Sequence, residues 1–587
     1  MADKKEEKSE WEDVLVPLDG LDLEDGKKEN RDYDNGELIP LEGWNEPKIN
    51  LEGYKSPKEE HNHILRKKSK LETETTKTMC IRLTTEKTAK EKRHRQMDKP
   101  KQRNPWVYIP TLYFAEGLPY VLINTASVIM YKNMGVSNSE ITFWTSWLYL
   151  PWVIKMLWGP MVDTFGTRRG WIFWTQLSMA VCLAAVALTL AGSHFFAMSL
   201  FMFAIGAFIS ATHDIAADGY YMLAMPQSEQ AFYVGIRSMF YRFAMIFGTG
   251  FIVFRAGKMQ ETGGMTAAAS WGTMLLVSAA IFAIVAIYHK IFLPYPDEDY
   301  PKAKADSKTI LKSVGTLAAY LVGAALVIAM FVAIKGVWFK LLAAAVLIAV
   351  LAVLYKKILL PKLKNSSGEG SFNTVFAEYF SQEGAVWIIA FILLYRLGEA
   401  FLTKMTSPFM LDGTAAGGLA LPTSQVGIIY GTIGVIGLVI GGILGGFMIS
   451  RYGFRKCIWA MVIALNGPDL FYLYLAYAQP SVEPSVLFGL NIPNLLITSL
   501  VFIEQFGYGI GMTALSVYQM FICKGKYKTA HFAISTGIMA LGMMVPGMLS
   551  GMLQEAVGYK MFFLCVCILT IPGMLVILKM PMPEEKA

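Results

Sequence analysis

An ionised side chain in hydrocarbon costs roughly 2.5–3.5 kcal/mol on insertion scales, so a charge inside an apolar stretch marks a partner or a wet cavity. This chain holds several. Glu116 lies in LYFAEGLPY beside Gly117 and Pro119, residues that loosen a helix. Lys155 lies in WLYLPWVIKMLWGP, crowded by Trp147, Trp152 and Trp158. Asp214 and Asp218, in ATHDIAADGYY, are four apart and share one helix face. Two carboxylates one turn apart do not both ionise cheaply in a dry setting, so this pair suits proton coupling. Arg237 and Arg242 are candidate partners for the two acids, which makes a buried Asp–Arg clamp between helices the structural alternative. Arg396 and Glu399, in LYRLGEA, are either cavity groups or an i,i+3 pair that locks a helix. Lys155, Arg242 and Arg396 suit anionic groups, because an ammonium or a guanidinium fork binds carboxylates. Glu116 and Glu399 suit an amine or a proton. Further along, Asp469 follows the helix interruption Asn466-Gly467-Pro468, Glu504 and Gln505 precede a glycine series, and His531 opens an apolar run.

The elements that hold these groups are membrane spans. Hydrophobic residues make up 54% of the chain and charged residues 17%; with a mean hydropathy of +0.40 this excludes a soluble multidomain protein. A helix needs about 20 apolar residues to cross the hydrocarbon layer. That criterion predicts six spans near 108–131, 141–164, 171–192, 197–222, 232–255 and 270–292. Two more runs lie near 314–334 and 341–359. Six further spans follow near 385–410, 426–449, 457–478, 493–519, 530–551 and 560–579. Lys and Arg gather in alternate loops: before Trp106, at Arg168 and Arg169, over 302–312, at Lys356 to Lys364, and at Arg455 and Lys456. Those loops should be cytoplasmic, with both termini on the same side. The net charge of +7 follows this loop pattern and does not form a nucleic-acid face.

One short word occurs twice. WGPMVDTFGTRR sets Gly159, Asp163, Gly166 and Arg168 at offsets 0, 4, 7 and 9, and GFMISRYGFRK sets Gly446, Ser450, Gly453 and Arg455 at the same offsets. Each copy closes the second span of a six-span half. The first span of each half also matches, LYFAEG against LYRLGEA. Two halves on one plan, rocking about a central cavity, are how many secondary transporters work. The duplicated word resembles the loop motif of the major facilitator superfamily. Its glycines should allow close helix approach and a tight turn, and its Asp and Arg a charge relay at a gate. The resemblance implies an all-α polytopic fold of two six-helix bundles plus an extra central helical pair. The organisation expected is a disordered charged cytoplasmic tail over 1–104, a bundle over 105–295, a linker with an extra transmembrane hairpin over 296–384, and a bundle over 385–587.

A narrower resemblance rests on FAEGLP, LPWVIKMLWGPMVD, RRGW, ATHDIAADGYY, EQFGYGIGMTAL and YKTAHFAISTGIMALGMMVPGMLSG. These phrases are similar to those of AmpG-type muropeptide permeases, to which acetyl-CoA transporters are related. The resemblance runs from about residue 105 to the end, without the middle pair. It implies import of peptidoglycan breakdown products with protons across a bacterial inner membrane. His213 stands where that family commonly has Gln, and the tail has no counterpart there. The partners implied are a small anionic solute, protons and the lipid bilayer, with a monomer, no nucleic acid, no metal and no cofactor. A permease for another anionic solute, such as acetyl-CoA or a sugar conjugate, is the alternative. A membrane enzyme would need a nucleophile or metal word, and Gly-x-Ser-x-Gly, His-Glu-x-x-His and P-loop words are all missing.

The first hundred residues differ from the rest. Residues 1–50 carry 16 acids and 7 bases, and residues 51–104 carry 8 acids and 16 bases. So few apolar groups predict disorder with a basic collar at the membrane. No apolar leader precedes residue 107, and Met97 is an alternative start. The six cysteines read as packing thiols, since Cys565 and Cys567 point to different helix faces.

Overall fold

The computed structural model describes residues 103–296 and 372–583, apart from short gaps at 156–157, 160–161, 163–165, 226, 488–489 and 524–527. A few isolated residues between 299 and 346 are also described. All of them fall in the unit Asp98–Ala587. The charged tail and nearly all of the 314–359 pair lie outside the described residues.

Ten described helices are long and apolar enough to cross a membrane. They are Pro105–Asn133, Arg168–Thr189, Phe195–Ala224, Phe232–Glu261, Ala267–Phe292, Ala385–Leu411, Thr423–Tyr452, Phe454–Ala478, Leu495–Ile522 and His531–Val576. They correspond to spans one, three to six, seven to ten, and the last two together. Span two is broken into Asn138–Trp147 and Leu150–Ile154, with Pro151 at the start of the second piece. The last helix runs on to a single break at Gly558, where φ is 76°. The sequence predicts a loop of about eight residues there; one left-handed glycine does the work instead. The chain reverses at that point, because Gly542 packs on Leu393 and Gly573 on the neighbouring Leu394. One small departure from an all-helical fold is an antiparallel ribbon, Ser485–Leu487 with Leu490–Ile492, between spans nine and ten.

Helix starts carry the polar caps that free N–H groups need. Ser137 accepts from the N–H of Glu140, Thr167 from Gly170, Thr266 from Ala269 and Asn494 from Ile497. Large apolar side chains such as Leu188, Ile284, Phe447 and Leu578 are exposed along the outside, as a lipid-facing surface requires.

Three spans contain a π turn: Leu122–Ala126 in span one, Ile246–Ile252 in span five and Ile429–Gly434 in span eight. The last two cross each other. The Thr249 hydroxyl donates to the Gly431 carbonyl at 3.3 Å, and a β-carbon at Gly431 would overlap the backbone of Thr249.

The polar bonds joining the two halves lie at this crossing or beyond it, away from the repeated words. Lys132 pairs with Asp412 at 2.5 Å. Tyr559 donates to Asp412 at 2.6 Å, and the Asn138 amide reaches Asp412, Gln554 and Tyr559 within 3.1 Å. On the other flank Asn133 donates to Thr423 at 3.0 Å, and the Ser424 N–H donates to Glu261 at 3.3 Å.

Candidate functional site

Helices from the first half converge on a cavity of about 190 Å³ lined by Tyr113, Glu116, Arg237, Ser238, Tyr241 and Arg242. Glu116 comes from span one, and the two arginines come from span five. Gly117 lets span five approach: a β-carbon there would lie 2.9 Å from the Tyr241 carbonyl. The Glu116 carboxylate makes no hydrogen bond among the described residues, and its Oε2 is buried. Arg242 likewise has no hydrogen bond or ion pair among them.

Asp214 and Asp218 share one face of span four, as their spacing predicts. Each has its own cation. Asp214 accepts from Lys155 Nζ at 3.4 Å and from Trp152 Nε1 at 3.1 Å. Asp218 accepts from Arg237 at 3.0 Å and from the Tyr113 hydroxyl at 3.2 Å. Arg237 also bonds Tyr113, so the three side chains close a ring. The Asp–Arg clamp therefore exists for Asp218 with Arg237, whereas Arg242 is left to the cavity. The Lys155 and Asp218 side chains keep 37% and 42% exposure, so water reaches these pairs.

Beside them runs a buried hydrogen-bonded chain. Thr111 bonds His289 Nε2 at 2.9 Å, His289 Nδ1 meets Gln176 Oε1 at 2.9 Å, and Gln176 Nε2 meets His213 Nε2 at 2.9 Å. With the amide so oriented, His213 accepts and His289 donates at Nδ1. His289 is thus bonded at both ring nitrogens and His213 at Nε2.

In the second half the i,i+3 pair does not form. Arg396 reaches the Tyr508 hydroxyl and lies over its ring, while Glu399 accepts from Thr403 at 2.7 Å. Glu399 is 2% exposed and is not among the residues that line the cavity of Glu116. Its electrostatic neighbours are Arg396 and the two acids Asp469 and Glu504, themselves 1% exposed. Tyr472 and Gln505 bond Glu504, and both Asp469 oxygens lack a partner among the described residues. An aromatic wall divides the two sets. Tyr120 sits 5.1 Å from Trp152, 6.1 Å from Tyr149 and 6.3 Å from Tyr241, centroid to centroid.

The repeated words make equivalent turns. Gly166 has φ 65° and Gly453 has φ 84°, a conformation that favours glycine. Gly159 and Gly446 show no close approach among the described residues: a β-carbon at either meets none of their atoms within 4 Å. The close contact is on another helix, at Gly219, whose missing β-carbon makes room for the Arg168 side chain. Asp299 accepts the N–H groups of Arg168 and Arg169 at 2.7 and 3.0 Å, and so places a carboxylate at the start of span three. Arg169 bonds carbonyls of Lys290 and Leu293 at the end of span six. Asp163 lies outside the described residues, and Arg455 opens span nine beside Gly453.

Sequence reasoning missed several groups. Lys404, one turn past Glu399, is 5% exposed and bonds Thr145 of span two at 3.2 Å. The same test that picks out Lys155 (a lone cation in an apolar run) finds it in FLTKMTSPFM. Tyr113 and Tyr508, which orient the two arginines, carry no such signal.

Residues 111–476 match the model of the Major Facilitator Superfamily. The chain belongs to that superfamily. Over 472 residues it is 23% identical to the anhydromuropeptide permease of Escherichia coli K12, covering 80% of this chain and 78% of that protein. It is also 23% identical, over 80% of this chain and 94% of the relative, to the transporter named AmpG 4 of Rickettsia conorii. Among solved structures it resembles a POT family transporter bound to a thioalcohol-conjugated peptide, with a TM-score of 0.56 at 12% identity and coverage of 80% and 95%. It also resembles a D-xylose–proton symporter, with a TM-score of 0.51 at 11% identity and coverage of 81% and 97%. At such identities the solved structures establish the fold alone. The chain is a multi-pass membrane transporter of AmpG type, not an enzyme.

Proposed function

We propose that this transporter imports muropeptides across a bacterial inner membrane by proton symport. The observation that carries the reading is the cavity pairing of unbonded Glu116 with Arg237 and Arg242, between the faces of Tyr113 and Tyr241. A sugar carrying a short peptide offers carboxylates for the guanidinium groups, an amine for the carboxylate and ring faces for the tyrosines. Lys155 and Arg396 extend the cationic lining, and Glu399 stands behind it. The names of the relatives point to the same solute.

In this reading the repeated words and both termini face the cytoplasm, as the Lys and Arg loops favour. The conformation is then inward-open: the halves are tied at the periplasmic end, and solvent enters past Asp218. Gly159, Asp163, Gly166 and Arg168 gate the first half, and Gly446, Gly453 and Arg455 the second. The bundles 105–295 and 385–587 rock within a monomer.

Asp214 and Asp218 carry the coupling. A proton landing on either releases Lys155 or Arg237 to the solute, so solute and proton favour the same state. The test is uptake of radiolabelled anhydro-muropeptide into proteoliposomes under an imposed pH gradient. Accumulation should follow the gradient and collapse with a protonophore. Uptake indifferent to the gradient removes the coupling; no uptake removes the solute.

A further inference from the structure

We infer that Lys404, with Ser146 and Thr145, forms an anion subsite between the two halves that takes an oxyanion of the solute. This rests on the reading of the chain as a carrier of anionic solutes and adds a second point of recognition, away from the cavity of Glu116.

Lys404 belongs to span seven, in the second half. Its Nζ donates to Thr145 Oγ1 at 3.2 Å and lies 4.9 Å from the centroid of the Tyr149 ring. The Thr145 hydroxyl spends its own proton on the Ile141 carbonyl at 2.7 Å, so it can only accept from the lysine. Lys404 forms no ion pair among the described residues. An ammonium has three donors, and one is used.

Ser146, on the facing half, is fully buried and its hydroxyl has no partner among the described residues. Serine in a helix usually bonds back to the preceding turn; this one does not. Lys404 and Ser146 flank the same bare stretch of span eleven. A β-carbon at Gly547 would lie 2.9 Å from Ser146 Oγ and 3.3 Å from Lys404 Cγ. Two ammonium N–H groups and a hydroxyl, all without a partner among the described residues, thus belong to side chains that border the same glycine. A buried ammonium without a counter-charge is costly, and a carboxylate or phosphate oxygen supplies the missing charge and the missing acceptors together.

The position suits a solute path. Tyr149 separates Lys404 from Tyr120, and Tyr120 adjoins Tyr241 on the wall of the open cavity. An anion held by Lys404 and Ser146 touches both halves at once, so its binding biases how they rock.

The experiment measures uptake by the full chain in proteoliposomes for Lys404→Gln, Lys404→Arg and Ser146→Ala. Three labelled solutes are used: anhydro-muropeptide with free peptide carboxylates, the same compound amidated, and acetyl-CoA. Loss of a charge-assisted bond should raise KM for the free acid about tenfold or more in Lys404→Gln, with kcat nearly unchanged. The amidated compound should shift less than about twofold, and Lys404→Arg should keep most of the affinity. If Lys404→Gln fails to fold, Ser146→Ala reads the same split at about threefold. Equal shifts for acid and amide, or no shift, overturn the subsite. A muropeptide that is not transported, with acetyl-CoA uptake weakened in Lys404→Gln, keeps the subsite and removes the muropeptide. A wild type that moves no anionic solute removes both.

Discussion

Asp412 is the acceptor on which the far end of the molecule closes, and its removal should change the balance of conformations. It takes Lys132 at 2.5 Å, the Tyr559 hydroxyl at 2.6 Å and the Asn138 amide at 3.1 Å. The Lys132 and Asp412 side chains are only 14% and 16% exposed, so screening is weak. Lys132 and Asn138 come from the first half, Asp412 and Tyr559 from the second. Hydrogen bonds to a charged group contribute about 1.5–3 kcal/mol each, but on opening every freed group regains water. A net of about 2–3 kcal/mol for the cluster is reasonable, and it corresponds to a roughly 30- to 150-fold change in a two-state equilibrium. Asp412→Ala should therefore shift the population toward opening at this end. Spin labels at Thr262→Cys and Thr414→Cys, one on each half in a background without native cysteines, would report it by pulsed distance measurement. The expected result is a second, longer distance that grows in Asp412→Ala and is rare in the parent. An unchanged distribution would mean that the bonds at Asp412 do not hold the end shut.

Three other outcomes follow from close contacts. Gly219→Ala should lower the melting temperature in detergent by crowding Arg168, and Arg168→Ala in the same chain should cancel most of that loss; additive losses would count against the contact. Gly431→Ala should cost the present arrangement about 1–3 kcal/mol by overpacking against Thr249, lengthening the same spin-label distance without touching a charge. Asp299→Ala removes two N–H acceptors from the start of span three and should cost about 1 kcal/mol, visible as a lower melting temperature with the solute KM unchanged.

What was legible in the sequence was whatever one helix fixes by itself. Hydropathy placed most of the described spans within a few residues, and the repeated word implied a tight turn in each half, which falls at Gly166 and Gly453. The i,i+4 spacing put Asp214 and Asp218 on one face. Pairing was not legible, because it depends on rotation between helices. Lys155 rather than Arg242 reaches Asp214, and Arg396 leaves Glu399 for Tyr508 on span ten. The Asp412 cluster draws on spans one, two and seven and the Gly558 turn, so no local pattern announces it. Lys404 escaped for a different reason: its meaning lies in Thr145, which it bonds, and in the unbonded Ser146, which only the fold brings near.

The crossing of the wide turns in spans five and eight bears on how such a molecule moves. A π turn holds its carbonyls in a looser ladder, so it can change pitch locally without surrendering the helix. Here two of them touch backbone to backbone, with Gly250 and Gly431 offering no side chain to catch. That makes the contact a fulcrum: each bundle is a rigid lever, and tilt at one mouth is returned as tilt of opposite sense at the other. Drift in the surrounding sequence should be easy, while bulk at these two glycines should stall the seesaw.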